Sequence, residues 1–351
     1  MTGSRRSPAR PNAAARRMAG LLAGFAADRA FGDPPRAHPV AVFGTWATWL
    51  RRRMHRDSRA AGAAYVAAAV IPPVAASWWL SRRLPAVTLA AATWAALGGT
   101  TLARTGERMA RRLDAVGEPG PGSTAGEEAP ADAAVALDRA RELVPWLCSR
   151  DPSALDAPGI ARATVESLAE NTSDAVTGTL FWGAMAGAPG VVMHRCINTL
   201  DAMVGYRTPE YRNFGWAAAR LDDVVNWVPA RLTGMATVAA GPDRPGAVRA
   251  WRHDAAKHPS PNAGVPESTA AGALGVTLGG ATVYAGGMEE RPRLGDGPAP
   301  GVPDVRRAVR LTRRVQDIAA VMTVAPVAAA ALAGVLRRGR ERRRAGRARR
   351  R

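Results

Sequence analysis

The chain has 351 residues, 47% hydrophobic but only 5% aromatic, with 36 Gly, 27 Pro and a formal charge of +19. That length accommodates one large domain or two ordinary ones. The charge does not make the body a nucleic-acid binder, because five Arg and no acid occupy residues 1–20, ten Arg against Glu341 occupy 337–351, and the remaining excess is dilute. Cys148 and Cys196 are too few for a disulfide framework or a thiolate zinc site, and Lys257 is the only lysine among 48 basic residues.

In chain order, Arg16–Arg17 before the apolar run Met18–Ala27 imitates a signal peptide. The turn-rich GDPPRAHPV (32–40) follows directly, with Asp33, Arg36 and His38, so this region reads as part of the working chain. Residues 60–81, 84–103, 175–194, 268–288 and 318–336 contain no Asp, Glu, Lys or Arg. About 20 apolar residues cross a bilayer as a helix. The mean hydropathy of −0.13 is depressed by the Arg-rich tails and polar loops, so the local windows carry more weight. The run 318–336 is the cleanest span, and Arg337, Arg338 and Arg340 behind it predict a cytoplasmic C-terminus. Residues 84–103 are a second span. Residues 60–81 contain Pro72–Pro73 and need neighbouring groups to satisfy the freed carbonyls. Runs 175–194 and 268–288 carry small-xxx-small pairs, Gly183/Gly187 and Gly275/Gly279, and read either as membrane helices or as buried ones. The expectation is a mainly α-helical, polytopic integral membrane protein with three to five transmembrane helices and polar motif loops.

The predicted organisation is a basic extension (1–17), an N-terminal membrane region (18–112), a flexible Gly/Pro/acid-rich loop (113–135), a motif-bearing region with membrane-embedded or buried helices (136–317), a C-terminal transmembrane helix (318–336) and an Arg-rich tail (337–351). Residues 289–304 look like a second loop.

No Gly-Lys-Ser/Thr surrounds Lys257, and G-x-G-x-x-G, G-x-S-x-G and H-E-x-x-H are all absent, so common nucleotide, hydrolase and zincin sites lack support. In TVESLAENTSDAV, Glu166, Glu170 and Asp174 fall at i, i+4 and i+8 beside Asn171. They read either as a Mg²⁺ or cationic-substrate site near the bilayer surface or as a solvated acidic face. In 198–232, Asp222, Asp223 and Asn226 fit a Mg²⁺ site, while Arg207 and Arg212 fit a clamp on phosphate or carboxylate. The alternative there is an amphipathic interfacial segment with Trp216 and Trp227 at headgroup level. In WRHDAAKHPSPNAGVPES (251–268), Lys257 suits a phosphate oxygen, with Asp254 orienting it or holding Mg²⁺, beside His258, Asn262 and Glu267. The plain alternative is a surface ion pair. RPRLGDG (291–297) reads as an ordered turn.

Together the segments DRAFGDPPRAHPV (28–40), ARATVESLAENTSDAV (161–176), 198–232, 251–268 and RPRLGDG resemble, in order, the adenosylcobinamide-phosphate synthase family of cobalamin biosynthesis, the CobD/CbiB type. The resemblance covers roughly residues 18–336. It implies a multi-pass enzyme of the cell membrane that uses Mg²⁺ and ATP to join a carboxylate of adenosylcobyric acid to the amine of 1-aminopropan-2-ol O-phosphate, with motif loops on the cytoplasmic face and other corrinoid-pathway enzymes as partners. No nucleic-acid partner is expected. With that chemistry, Glu170, Asp254 and Lys257 are the catalytic candidates. Arg36, Asn171, Arg207, Arg212, His258 and Asn262 are the substrate-binding candidates, and Glu166, Asp174, Asp222 and Asp223 the candidate Mg²⁺ ligands. A membrane permease or a non-catalytic corrinoid-handling scaffold is the alternative. Residues 1–16, the loop 113–135 and the Arg tail depart from the family pattern, and His194-Arg195 stands where a Tyr-Arg pair is expected, which puts a substrate contact there in question.

Overall fold

The computed structural model describes residues 12–34, 38–116, 131–284 and 287–348. Within them the chain folds into α1 (Ala13–Phe31), α2 (Pro39–Met54), α3 (Arg59–Arg83), α4 (Pro85–Leu97), α5 (Gly99–Asp114), α6 (Ala131–Arg141), α7 (Ala157–Asn171), α8 (Gly178–Ala186), α9 (Ala188–Val204), α10 (Trp216–Val225), α11 (Trp227–Ala240), α12 (Arg244–Asp254), α13 (Gly264–Leu274) and α14 (Val302–Ala348). A π-helical turn, Thr172–Thr177, joins α7 to α8, and one antiparallel hairpin, β1 (Leu278–Tyr284) with β2 (Gly287–Leu294), precedes α14. Helix starts follow local chemistry. Asn12, Asp156 and Asp243 accept from backbone N–H groups of the first turns of α1, α7 and α12, at 2.6 to 2.8 Å.

Among the described residues three helical stretches are long and apolar enough to cross a membrane: α3, the run Pro85–Asp114 and the part of α14 to Arg337. The chain is therefore a mainly α-helical polytopic membrane protein, at the lower end of the expected span count. Pro72 and Pro73 lie within α3 without ending it. The two Gly-rich runs are not straight spans. Residues 175–194 are interrupted by the π turn and by Gly187, whose φ of 68° breaks the helix between α8 and α9. Residues 268–288 divide into the buried end of α13 and strand β1, because Gly275 ends the helix in the left-handed region at φ 68°. The expected loop 289–304 contains the rest of β2 and the start of α14. Of the expected loop 113–135, residues 117–130 lie outside the described residues.

Buried apolar residues form three clusters. One gathers α5, α7, α13, the hairpin and the first half of α14. A second joins α2, α3, α9 and α10 around Tyr65 and Phe214. The third packs Leu21, Leu89, Leu180, Val191 and Val324 from α1, α4, α8, α9 and α14.

Helix α14 fixes the two ends of the molecule. Its charged first half pairs Arg306 with Asp114 and Arg313 with Glu107, and Thr312 and Val315 line a small cavity with Leu168 and Thr172 of the motif region. At the other end, Asn12 Nδ2 donates to Ala331 O at 2.8 Å, so the start of α1 lies beside the C-terminal part of α14. A helix that crosses a bilayer once puts its ends on opposite faces. With 318–336 as a span, the motif-bearing region and the Arg tail lie at opposite ends of α14.

Candidate functional site

The motif segments converge on buried polar clusters. The π turn matters first. On an uninterrupted α-helix Glu166, Glu170 and Asp174 would share one stripe; the i→i+5 turn between Glu170 and the rest changes the helical phase. The stripe divides accordingly. Glu166 is engaged with Arg150 and with the backbone of β1, whereas Asp174 is engaged with α9.

The first cluster is a chain of hydrogen bonds. Asn198 Nδ2 donates to Asp174 Oδ2 (3.2 Å) and Asp222 Oδ1 (3.4 Å), Asn226 Nδ2 donates to Asp222 Oδ1 (2.8 Å), and His194 Nε2 is 2.8 Å from Asn226 Oδ1. Arg195 Nη1 donates to Asn198 Oδ1 at 3.3 Å. Glycine is required at 178, since a Cβ there would lie 2.4 Å from the His194 ring. Loss of solvent first, then repulsion among Asp174, Asp201, Asp222, Asp223 and Glu170, pushes Asp222 up to about 6 and Asp201 up to about 7, and raises Asp174 well above the usual carboxylate range. Asp174 and Asp222 thus share Asn198, with Arg195 on the same amide and close to Asp174. Asp223 is partly exposed and pairs with Arg220 at 3.5 Å; partial burial raises its proton affinity, with Arg220 and then Arg207 opposing the shift.

The second cluster contains Glu166, Glu170, Glu267, Arg150, His258 and Arg291. Arg150 and Glu166 form a buried ion pair, and Glu166 Oε1 accepts from Gly279 N at 2.7 Å. Glu267 Oε1 lies 3.7 Å from His258 Nε2 and 3.8 Å from Arg291 Nη2, and the Arg291 guanidinium also contacts the His258 ring. Burial raises Glu267 far above its ordinary value and raises Glu170 too, with Arg291 opposing both shifts. Burial, reinforced by the Arg291 charge, pushes His258 down to about 4, so this imidazole is neutral at pH 7. Glu170 feels both clusters electrostatically and links them.

The remaining sequence candidates are placed as follows. Asp254 and Lys257 bond to each other at 2.7 Å, Asp254 Oδ2 accepts from Gly295 N at 2.9 Å, and the Lys257 side chain is 56% exposed. They form a clasp at the base of the hairpin. Asn171 Nδ2 donates to Ser167 Oγ at 2.8 Å and to the Ser167 and Leu147 carbonyls, fastening α7 to the preceding segment. Asn262 is buried, accepting from Arg231 at 3.0 Å and donating to Asp223 O at 2.9 Å. Arg207 and Arg212 are exposed on the loop before α10. Arg36 lies outside the described residues. His38 caps α2 through its Nδ1.

Several residues of these clusters were not among the sequence-based candidates. Asn198 and Asp201 have a usable signal, an i, i+3 pair on one face of a helix. Arg291 opens the RPRLGDG segment but read there only as part of a turn, and Arg150 has no signal, because the partners of both are distant in the chain. His194 is an interior hydrogen-bonding residue that holds Asn226.

No three His, Cys, Asp or Glu side chains among the described residues form a metal-holding group by themselves. Mg²⁺ commonly takes only one or two carboxylates, with water and substrate phosphates completing the shell. The oxygen-only, cation-poor pair Asp174–Asp222 fits that mode. Glu166 does not, because Arg150 and Gly279 already occupy it.

Fold and clusters together define a polytopic membrane protein with a deeply buried carboxylate-rich site. The family model for the CobD/Cbib protein matches residues 21–121 and 123–312, and the chain belongs to that family. It is 48% identical over 316 residues to the cobalamin biosynthesis protein CobD of Mycobacterium tuberculosis, covering 88% of this chain and 95% of that protein. Its identity to CobD of Chromobacterium violaceum is 41% over 309 residues, 85% of this chain and 93% of that one. With CobD of Geobacter metallireducens it is 39% over 291 residues, 79% and 86% of the two chains. No solved structure matches. The chain has a role in cobalamin biosynthesis.

Proposed function

We propose that the protein is an adenosylcobinamide-phosphate synthase of the cell membrane. It would condense a carboxylate of adenosylcobyric acid with the amine of 1-aminopropan-2-ol O-phosphate, converting ATP to ADP and phosphate as the amide bond forms. The observation that carries this reading is the crowding of Asp174, Asp201, Asp222 and Glu170 in a buried network with few cations. Such a site gains most from binding positive charge, and the reaction brings two kinds: Mg²⁺ on ATP phosphates and the ammonium of the amine substrate.

Asp174 and Asp222 would hold Mg²⁺, which supplies charge neutralisation for phosphoryl transfer to the poorly electrophilic carboxylate. Glu170, with its raised proton affinity and position between the clusters, would take the proton that the ammonium must lose before it attacks. Exposed Arg207, which acts electrostatically on Asp223, and exposed Arg212 on the same loop would suit the phosphate groups. Asn262 and His258 would shape the substrate pocket. Asp254 would act through the hairpin that it holds at Gly295, with Lys257 as its exposed partner. The need for ATP would put the motif-bearing face in the cytoplasm, and α14 would then carry the Arg tail to the other face, against the arginine-flank expectation.

The test is mass spectrometry of detergent-purified protein given adenosylcobyric acid, aminopropanol phosphate, Mg²⁺ and ATP. Formation of the amide with stoichiometric ADP supports the ligase. Corrinoid binding without product, by folded protein, would favour a carrier or scaffold. Replacing the amine by free aminopropanol identifies the donor, and protease protection of a C-terminal tag in sealed vesicles gives the orientation.

A further inference from the structure

Helices α10 and α11 meet at Asn226 without an intervening loop. At 1.5 Å per residue they are about 15 and 21 Å long, too short to cross a hydrocarbon core of about 30 Å. Their junction nevertheless lies deep in the molecule. Trp182 Nε1 donates to Val225 O at 2.9 Å, and His194 holds Asn226. Trp182 and His194 neighbour Leu180 and Val191, which share one buried cluster with Leu89 and Val324, two residues well inside the candidate spans.

Both outer ends return to the motif-bearing side. Phe214, just before α10, touches Gly62 near the start of α3, and Arg59 lies over the Trp216 ring at 5.3 Å. Gly241, just after α11, packs on Ala273 of α13. At the junction the outward side chains are apolar and uncovered: Val224 is 70% exposed and Trp227 54%, with Leu221 and Val228 beside them. Arg231 lies over the Trp227 ring at 4.5 Å, the arrangement of a cation reaching back from an apolar layer. The inner side of the same junction carries Asp222 and Asn226. Uncovered apolar groups at the depth of spanning helices have lipid as their solvent, and at the junction the Val225 carbonyl accepts from Trp182 Nε1 while the Asp222 carbonyl accepts from Asn226 N.

We propose that α10–α11 is a re-entrant helical hairpin, entering one leaflet from the motif-bearing face, turning at Asn226 and returning, with Val224, Trp227 and Val228 against phospholipid acyl chains. The carboxylate network on its inner side then lies below the membrane surface, and the lipid-facing tip and the site share one element. This rests on the membrane fold and not on the ligase reading.

The test uses the full chain in nanodiscs of phosphatidylcholine and phosphatidylglycerol, in a Cys148→Ala/Cys196→Ala background, with an environment-sensitive fluorophore on Val224→Cys or on Thr208→Cys in the exposed loop. The expected result is blue-shifted emission at 224, quenched by lipids brominated in the acyl chain and not by aqueous iodide, with the reverse at 208. Iodide quenching at 224 equal to that at 208 overturns the proposal. So does a 224 label shielded from both quenchers together with disulfide cross-linking of Val224→Cys between two copies, which would make the tip a protein interface. Should the cysteine variants misfold, wild-type protein is photolabelled with a phospholipid carrying an acyl-chain diazirine. Adducts within 221–228 support the hairpin, and adducts confined to α3, α4 and α14 overturn it.

Discussion

Two regions present the same residue types with opposite settings. In the Asp174–Asn198–Asp222–Asn226 network, carboxylates are buried beside other carboxylates and their proton affinities rise. In the Asp254–Lys257–Gly295 clasp, the carboxylate has a cation and a backbone N–H, each within 2.9 Å, and the lysine reaches solvent. The first arrangement gives up stability to hold charge that a ligand can neutralise; the second is satisfied as it stands. Acid beside base in a sequence thus says less about chemistry than acid beside acid in a fold.

The largest effect expected is structural. Arg150→Ala strands Glu166 in the interior and is expected to cost about 3–5 kcal/mol, measured by denaturant or thermal unfolding in detergent; a loss near zero would show that Glu166 simply takes up a proton. Asp222→Asn separates the two regions most clearly. It should lower amide formation by roughly 100-fold or more, yet leave unfolding unchanged or slightly raised, because a crowded carboxyl becomes a neutral amide. Equal loss of stability and activity would make Asp222 a structural residue.

Asp254→Ala leaves Gly295 N without its acceptor, and a cost of about 1–3 kcal/mol is expected, accompanied by increased hydrogen exchange in β2. Lys257→Ala removes an exposed ion pair worth about 1 kcal/mol or less, so stability and turnover should both stay close to wild type; a large fall in turnover at normal stability would restore Lys257 to the chemistry.

The pH dependence sharpens the same contrast. Asp222 and Asp201 have folded values of about 6 and about 7, above the ordinary 3.8. Between about 4 and 7 the unfolded chain ionises before the folded one, so apo stability should fall as pH rises through that window and level off above it. Cation binding needs the ionised forms, so Mg²⁺ affinity in the presence of ATP should rise from pH 6 to above 7, measured by calorimetry. A flat profile would dissociate the cluster from the metal.

Much was legible in the chain itself. Charge-free runs located α3, α4 and the apolar half of α14 because a bilayer demands length and apolarity from one contiguous segment. The motif segments marked the acids and the family because those residues recur in order along the chain. What the tertiary structure alone decided depends on contacts between distant segments. The π turn divides Glu166 from Asp174, the Gly275 turn converts an apolar run into a hairpin, and Arg150 and Arg291 meet their acids across the fold. Local pattern reports which groups are available and how long a helix runs; only packing determines whether a buried charge meets an opposite charge, a backbone donor or another charge of its own sign.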